Sequence, residues 1–227
     1  MQHILLLHGA IGAKDQLQSL AGRLNKNYTV HTLNFNGHGA NPVSTYFSIE
    51  GFAEDVRSYM EQHDISQAAI FGYSMGGYVA MWLGRYYPQM ISRIITLATK
   101  FHWDEETAAK ETKLLDADTI EEKVPVFAEQ LRQRHGAENW RSLLEKTKGL
   151  LQQLGNKNAL ELSAYANIPI PSLLLLGDKD KMVTTAETIA VQHALPNAKY
   201  RSLPNTVHPI EMADVEMLAG IIEEFVQ

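Results

Sequence analysis

The stretch Ala68-Ala69-Ile70-Phe71-Gly72-Tyr73-Ser74-Met75-Gly76-Gly77 decides the fold. Its first four residues form an unbroken apolar run of the kind buried on both faces of a parallel sheet, and apolar residues at helical spacing begin at Met75 and continue to Tyr87. Only a tight turn is left between strand and helix. Such a turn forces its middle residue, Ser74, into a strained backbone conformation, and Gly72 and Gly76, two positions to either side, must lack a Cβ for the chains to pass. Ser74 is then expected above the sheet at a helix N-terminus, where free backbone N–H groups stabilise negative charge.

Outward from this turn, short β-rich runs alternate with longer helical patterns. The runs are Ile4 to His8, Tyr28 to Asn34, Ala68 to Tyr73, Ile91 to Ala98, Ser172 to Gly177 and Lys199 to Leu203. Asp15 to Asn25, Ile49 to His63, Met75 to Tyr87, Thr185 to His193 and Pro209 to Phe225 read as helices, with Pro88 and Pro196 just past two helix ends. This rhythm predicts an α/β fold, a parallel sheet covered on both faces by crossover helices. One stretch breaks it. From about Phe101 to Asn167 the pattern is helical throughout, with Leu114, Leu115, Ile120, Val124, Phe127, Leu131, Trp140, Leu143, Leu144, Leu150, Leu151, Leu154 and Leu160 as candidate buried positions. That span is several times the minimum for a crossover, so a lid over a sheet edge is expected. Residues 1–100 and 168–227 then form the core, and 101–167 a helical cap.

Composition narrows the chemistry. The chain has 227 residues, a formal net charge of −6 and no cysteine. Its Lys and Arg are scattered, so nucleic acid is not an expected partner. The absence of cysteine removes disulfides, thiolate catalysis and Cys-ligated metals. The apolar run at Ile4 to Leu7 is too short for a signal peptide and lacks a basic lead-in, and no stretch approaches the roughly 20 apolar residues of a membrane span. A cytoplasmic protein that engages no membrane, as a monomer or homodimer, is expected. No metal-ligand spacing appears among Asp, Glu and His, and Gly9 and Gly12 complete no dinucleotide or phosphate fingerprint, so neither metal nor cofactor is expected.

A serine nucleophile needs a base, and the base an orienting acid. Among the nine histidines, His208 follows a strand pattern and a Pro204-Asn205-Thr206 turn, which places it at the carboxyl rim where such sheets carry their sites. The preceding strand, Leu173 to Gly177, runs into Asp178-Lys179-Asp180, two candidate acids. The chain order is thus Ser, Asp, His. His8 reads as a residue that orders its loop by hydrogen bonding, and His38, between two glycines, as turn chemistry. His102 and Trp103, at the start of the insertion, are candidates to line a pocket or to pack beneath the cap.

These landmarks resemble the α/β-hydrolase superfamily, in its small-cap branch of esterases, lactonases, C–C bond hydrolases and cofactor-free haloperoxidases. The matching residues are Leu7-His8-Gly9, Asn36-Gly37-His38-Gly39, Gly72 to Gly77, Gly177-Asp178-Lys179-Asp180-Lys181-Met182-Val183, and His208 before the last helix. The resemblance implies about six parallel strands with a helical cap after the fourth. It implies Ser74, Asp180 and His208 as catalytic residues, Asp180 being favoured over Asp178 by the Gly-Asp-x-Asp pattern, and the Ala10 and Met75 amides as oxyanion donors. Phe101 and Trp103 are the expected aromatic pocket contacts. The family's antiparallel N-terminal hairpin is not expected, since the first strand begins almost at Met1. Asn34-Phe35-Asn36-Gly37-His38-Gly39 stands where the family has Asp-x-Arg-Gly-His-Gly, and Val207 where it has glycine. Ser74 occupies the position that dehalogenases and epoxide hydrolases of this fold give to aspartate. The implied activity is cleavage of a small carboxylic ester or related acyl compound through an acyl-enzyme. The alternatives are C–C hydrolysis, lactone opening, acyl transfer or peracid formation on the same triad, or a non-enzymatic ligand-binding or signalling role.

Overall fold

In the computed structural model, which describes residues 1–42 and 46–227, six strands form one sheet: β1 (His3–Leu7), β2 (Thr29–Thr32), β3 (Ala68–Tyr73), β4 (Ile91–Leu97), β5 (Ser172–Gly177) and β6 (Ala198–Leu203). Every neighbouring pair is parallel, in the order β2-β1-β3-β4-β5-β6. The chain leaves β1 to one side for β2 and returns to the other for β3. That reversal opens a crevice outside the carboxyl ends of β1 and β3, the place where open α/β sheets hold ligands.

Strand alternation divides the apolar side chains between two layers. Leu5 and Leu7 pack on one face with α2 (Ile49–Gln62) and α3 (Met75–Tyr86), while Ile4 and Leu6 pack on the other with α1 (Gln18–Leu24) and α9 (Val215–Val226). All four are fully buried, each contributing about 1.5–3 kcal/mol of burial free energy. Side chains fix the helix starts. Ser48 accepts from the Gly51 amide at the head of α2, and a Thr184–Glu187 capping box opens α8 (Thr185–Ala194).

Three elements differ from the periodicity reading. The expected second strand shortens to Thr29–Thr32, an edge strand with every residue half-buried. The Asp15 to Asn25 helix begins as a 3-10 segment over Lys14–Leu17. The last helix splits: Ile210–Met212 is 3-10, and α9 restarts because the Asp214 side chain accepts the Met217 amide and caps it.

Between β4 and β5 lie α4 (Glu105–Lys113), α5 (Ala117–Lys123), α6 (Pro125–His135), α7 (Asn139–Asn156) and a 3-10 segment, Leu162–Asn167. Most of the expected apolar positions there are buried, Phe127 is half-buried, and two are corrected. Leu114 and Val124 are 61% and 51% exposed, because each falls at a helix C-cap and leaves the amphipathic face of its helix. The outgoing and returning stems meet: the Asn158 carboxamide accepts the Trp103 amide at 3.1 Å and donates to the Trp103 carbonyl at 2.8 Å. Among the described residues no helix is long and apolar enough to cross a membrane.

Candidate active site

Ser74 sits at φ 51°, ψ −118°, between β3 and α3. A Cβ on Gly72 would collide with the Gly76 carbonyl oxygen, and one on Gly76 would lie 2.5 Å from the Leu7 carbonyl oxygen. The turn therefore requires both glycines. Three bonds hold it: the Ser74 amide donates to the Leu97 carbonyl at 2.8 Å, and the Ser74 carbonyl accepts from the Gly77 amide and the Thr99 hydroxyl, each at 3.0 Å. Met75 is the first residue of α3, so its amide has no acceptor within the helix.

The end of β1 passes against this turn, since a Cβ on Gly9 would stand 3.2 Å from that of Ser74. The Gly12 amide closes a turn onto the Gly9 carbonyl at 3.2 Å, with Ala10 and Ile11 at its centre. His8 braces it. One ring nitrogen donates to the Gly9 carbonyl at 2.8 Å and the other accepts the Phe35 amide at 3.2 Å. Burial pushes this imidazole down to about 4, so it is neutral and engaged at both nitrogens, as suits a residue that orders its loop. His38 is more than turn chemistry. It is fully buried and stacks on Phe47 with ring centroids 5.6 Å apart, while Nδ1 donates to the Asn36 carbonyl.

At the carboxyl ends of β5 and β6 the two candidate acids separate. His208 Nδ1 donates to Asp180 Oδ2 at 2.8 Å, whereas Asp178 accepts the Thr206 amide at 3.3 Å. The Asp180 side chain has no exposure and that of His208 is 13% exposed. Burial alone would raise the Asp180 carboxyl, but the His208 bond and the Met182 and Val183 amides outweigh it and hold it below its usual range. The His208 ring lies 5.6 Å from that of Tyr73, the residue before Ser74. The parallel sheet thus brings Ser74, Asp180, His208 and the Ala10 turn to one edge.

A cavity of about 830 Å³ opens next to that edge and is walled by Lys100, Phe101, Leu160, Tyr165, Met182 and Glu187 among others. Ser74, Asp180 and His208 are not in its walls. Phe101 lines it and so does His102; Trp103 does not, being buried in the core with its indole nitrogen unpartnered among the described residues. One residue that sequence reasoning passed over touches the site's loops. His135, at the end of α6, bonds the Ile11 carbonyl and the Gly39 amide. Its only local signal is its place before Gly136, which marks a helix end and says nothing of these partners.

A family model described as the alpha/beta hydrolase fold matches residues 2–138. A probable alcohol acetyltransferase of Saccharomyces cerevisiae is 34% identical over 99 residues, spanning 41% of this chain and 29% of that protein. The sn-1-specific diacylglycerol lipase ABHD11 of Xenopus laevis is 22% identical across 99% of the chain and 79% of its own length. Among solved structures, the enol-lactonase from Burkholderia xenovorans LB400 superposes with a TM-score of 0.78 at 19% identity, covering 99% of this chain and 91% of that one.

Proposed function

We propose that this chain, which belongs to the α/β-hydrolase fold family, cleaves a small carboxylic ester or related acyl compound through an acyl-enzyme on Ser74. The observation that carries the reading is the 2.8 Å bond from His208 Nδ1 to Asp180, at the sheet edge where Ser74 is held in its strained turn. With Nδ1 committed, Nε2 is the nitrogen left to take the Ser74 proton as Oγ attacks the acyl carbon. The negative charge on the former carbonyl oxygen falls to the Ala10 and Met75 amides, and Asp180 stabilises the imidazolium. The imidazolium then protonates the leaving alcohol, and water, deprotonated by the same ring, releases the acid.

Acyl transfer to an alcohol in place of water is a second reading, favoured by the alcohol acetyltransferase relative. It shares every step up to the acyl-enzyme and is distinguished by product analysis with an added alcohol. The lipase relative sets a further arm, a long-chain diacylglycerol beside short p-nitrophenyl esters.

The decisive substitution is Ser74→Ala. It removes the attacking oxygen, so turnover is expected to fall by at least about a thousandfold, and labelling by a fluorophosphonate to vanish while the circular dichroism spectrum stays that of the parent. Labelling that persists on another serine, located by peptide mass mapping, would overturn the assignment.

A further inference from the structure

The carboxyl end of α6 reaches out of the helical insertion and touches three segments of the candidate site at once. His135 Nε2 donates to the Ile11 carbonyl at 2.9 Å, and Nδ1 accepts the Gly39 amide at 3.0 Å. Its neighbour Arg134 pairs with Asp15 at 3.0 Å and reaches Glu211 at 3.5 Å; Glu211 lies three residues past His208 and also accepts from Gln16. The two residues differ in weight. The Asp15 and Glu211 side chains are about half exposed, and exposed pairs contribute little. His135 is fully buried with both ring nitrogens bonded to backbone.

Ile11 explains what those bonds act on. It is the third residue of the turn closed from Gly12 to Gly9, and its φ is 50°, in the region where such turns take glycine. A β-branched residue there persists only where its surroundings over-determine it. The bond from His135 to Ile11's own carbonyl is such a constraint, and the Ala10 amide lies two peptide units upstream, inside the same turn.

We propose that His135 is a positioning residue for the acyl transfer: by holding the Ile11 carbonyl it fixes the turn that presents the Ala10 amide to the developing oxyanion. The inference rests on the reading of Ala10 given above. It makes the insertion part of the reaction's electrostatics. His135 serves only when neutral, because protonation removes the lone pair that accepts the Gly39 amide. The groups facing it are His8 and His38 from the core loops, Asp15 from the 3-10 segment and Arg134 on its own helix. Burial, with Arg134 adding to it, lowers its affinity for protons.

The test compares His135→Gln, His135→Phe and Arg134→Gln in the full chain. A carboxamide offers one donor and one acceptor, as the neutral imidazole does, whereas phenyl fills the space with neither. Losing one oxyanion donor costs about 100- to 1000-fold; a donor misplaced rather than lost should cost the Phe variant about 10- to 100-fold in kcat, with KM little changed. Affinity for a trifluoromethyl ketone, whose adduct carries the oxyanion, falls with it. The Gln variant recovers most of both quantities, and Arg134→Gln departs from the parent by less than about twofold. If the Phe variant does not fold, His135→Asn, with its shorter carboxamide, replaces it, and the same comparison with Gln decides. Parent-like kcat and ketone affinity in the Phe variant, or a Gln variant no better than Phe, overturns the proposal. Parent-like turnover in Ser74→Ala would instead strike the acyl-enzyme reading, so the two failures are told apart.

Discussion

Ser74 holds a backbone conformation that costs on the order of 1–3 kcal/mol, and the Leu97 and Thr99 bonds keep it there. At the next strand ends the decision is between carboxylates. Asp180→Asn replaces the acceptor of the His208 bond with a group that can turn a donor toward it, so kcat is expected to drop by about 1000- to 10,000-fold. Asp178→Asn weakens only the 3.3 Å bond from Thr206 and should cost less than about fivefold in kcat. Both are read from steady-state rates on p-nitrophenyl acetate with folded variants, and the reverse ranking would reassign the acid. As candidates, Ser74, His208 and the pair Asp178 and Asp180 were legible in the sequence because each stands beside a strand pattern and chain order links them, whereas preferring Asp180 took the family resemblance. His135 was not, since its partners lie 124 and 96 residues away, and no periodicity at the end of α6 announces a backbone contact of that range.

The insertion is read best as an element. Leu143, Leu144, Leu150, Leu151 and Leu154 line one face of α7 and are buried, while Glu105, Glu106, Glu122 and Lys123 face solvent, as amphipathic spacing requires. Periodicity revealed this burial because it is a property of a helix face. It misplaced Leu114 and Val124, which sit where helices end and the period no longer governs. The pocket contacts divide likewise. Phe101 lines the cavity, so Phe101→Ala is expected to shift the preferred chain length upward in a p-nitrophenyl ester series from acetate to palmitate, on which the parent peaks among the short esters. Trp103 is a core residue, and Trp103→Ala should cost about 3–5 kcal/mol of stability, seen as a lower Tm, with the chain-length profile kept. A parent peak at palmitate, or a profile shifted by Trp103→Ala and not by Phe101→Ala, would refute this division.

For the molecule as a whole, three buried histidines set its behaviour in acid. The His8 and His38 rings lie 4.9 Å apart, and those of His38 and His135 6.1 Å. Burial holds all three below the usual histidine range, His8 down to about 4 and His38 well below its own ordinary value. As pH falls through about 6.5 the unfolded chain takes up protons that the folded chain refuses, so stability is full above that value and declines toward the folded values below it. For His8 alone the loss between pH 6.5 and 4 is about 3 kcal/mol. Asp180, whose carboxyl is held low, adds a loss of the same sign further into acid. The urea midpoint should therefore be level above pH 7 and fall steeply from pH 6.5 to 4; a midpoint constant across that interval would contradict the neutral cluster. The order of the sheet, unlike its parallel character, was not legible, because pairing β1 with β3 depends on contacts across the whole chain. The Asn158–Trp103 clasp has an evolutionary consequence. The intervening polypeptide leaves and returns through one doorway, so changes that spare His135 and the buried leucines can accumulate within it without moving the ends of β4 and β5.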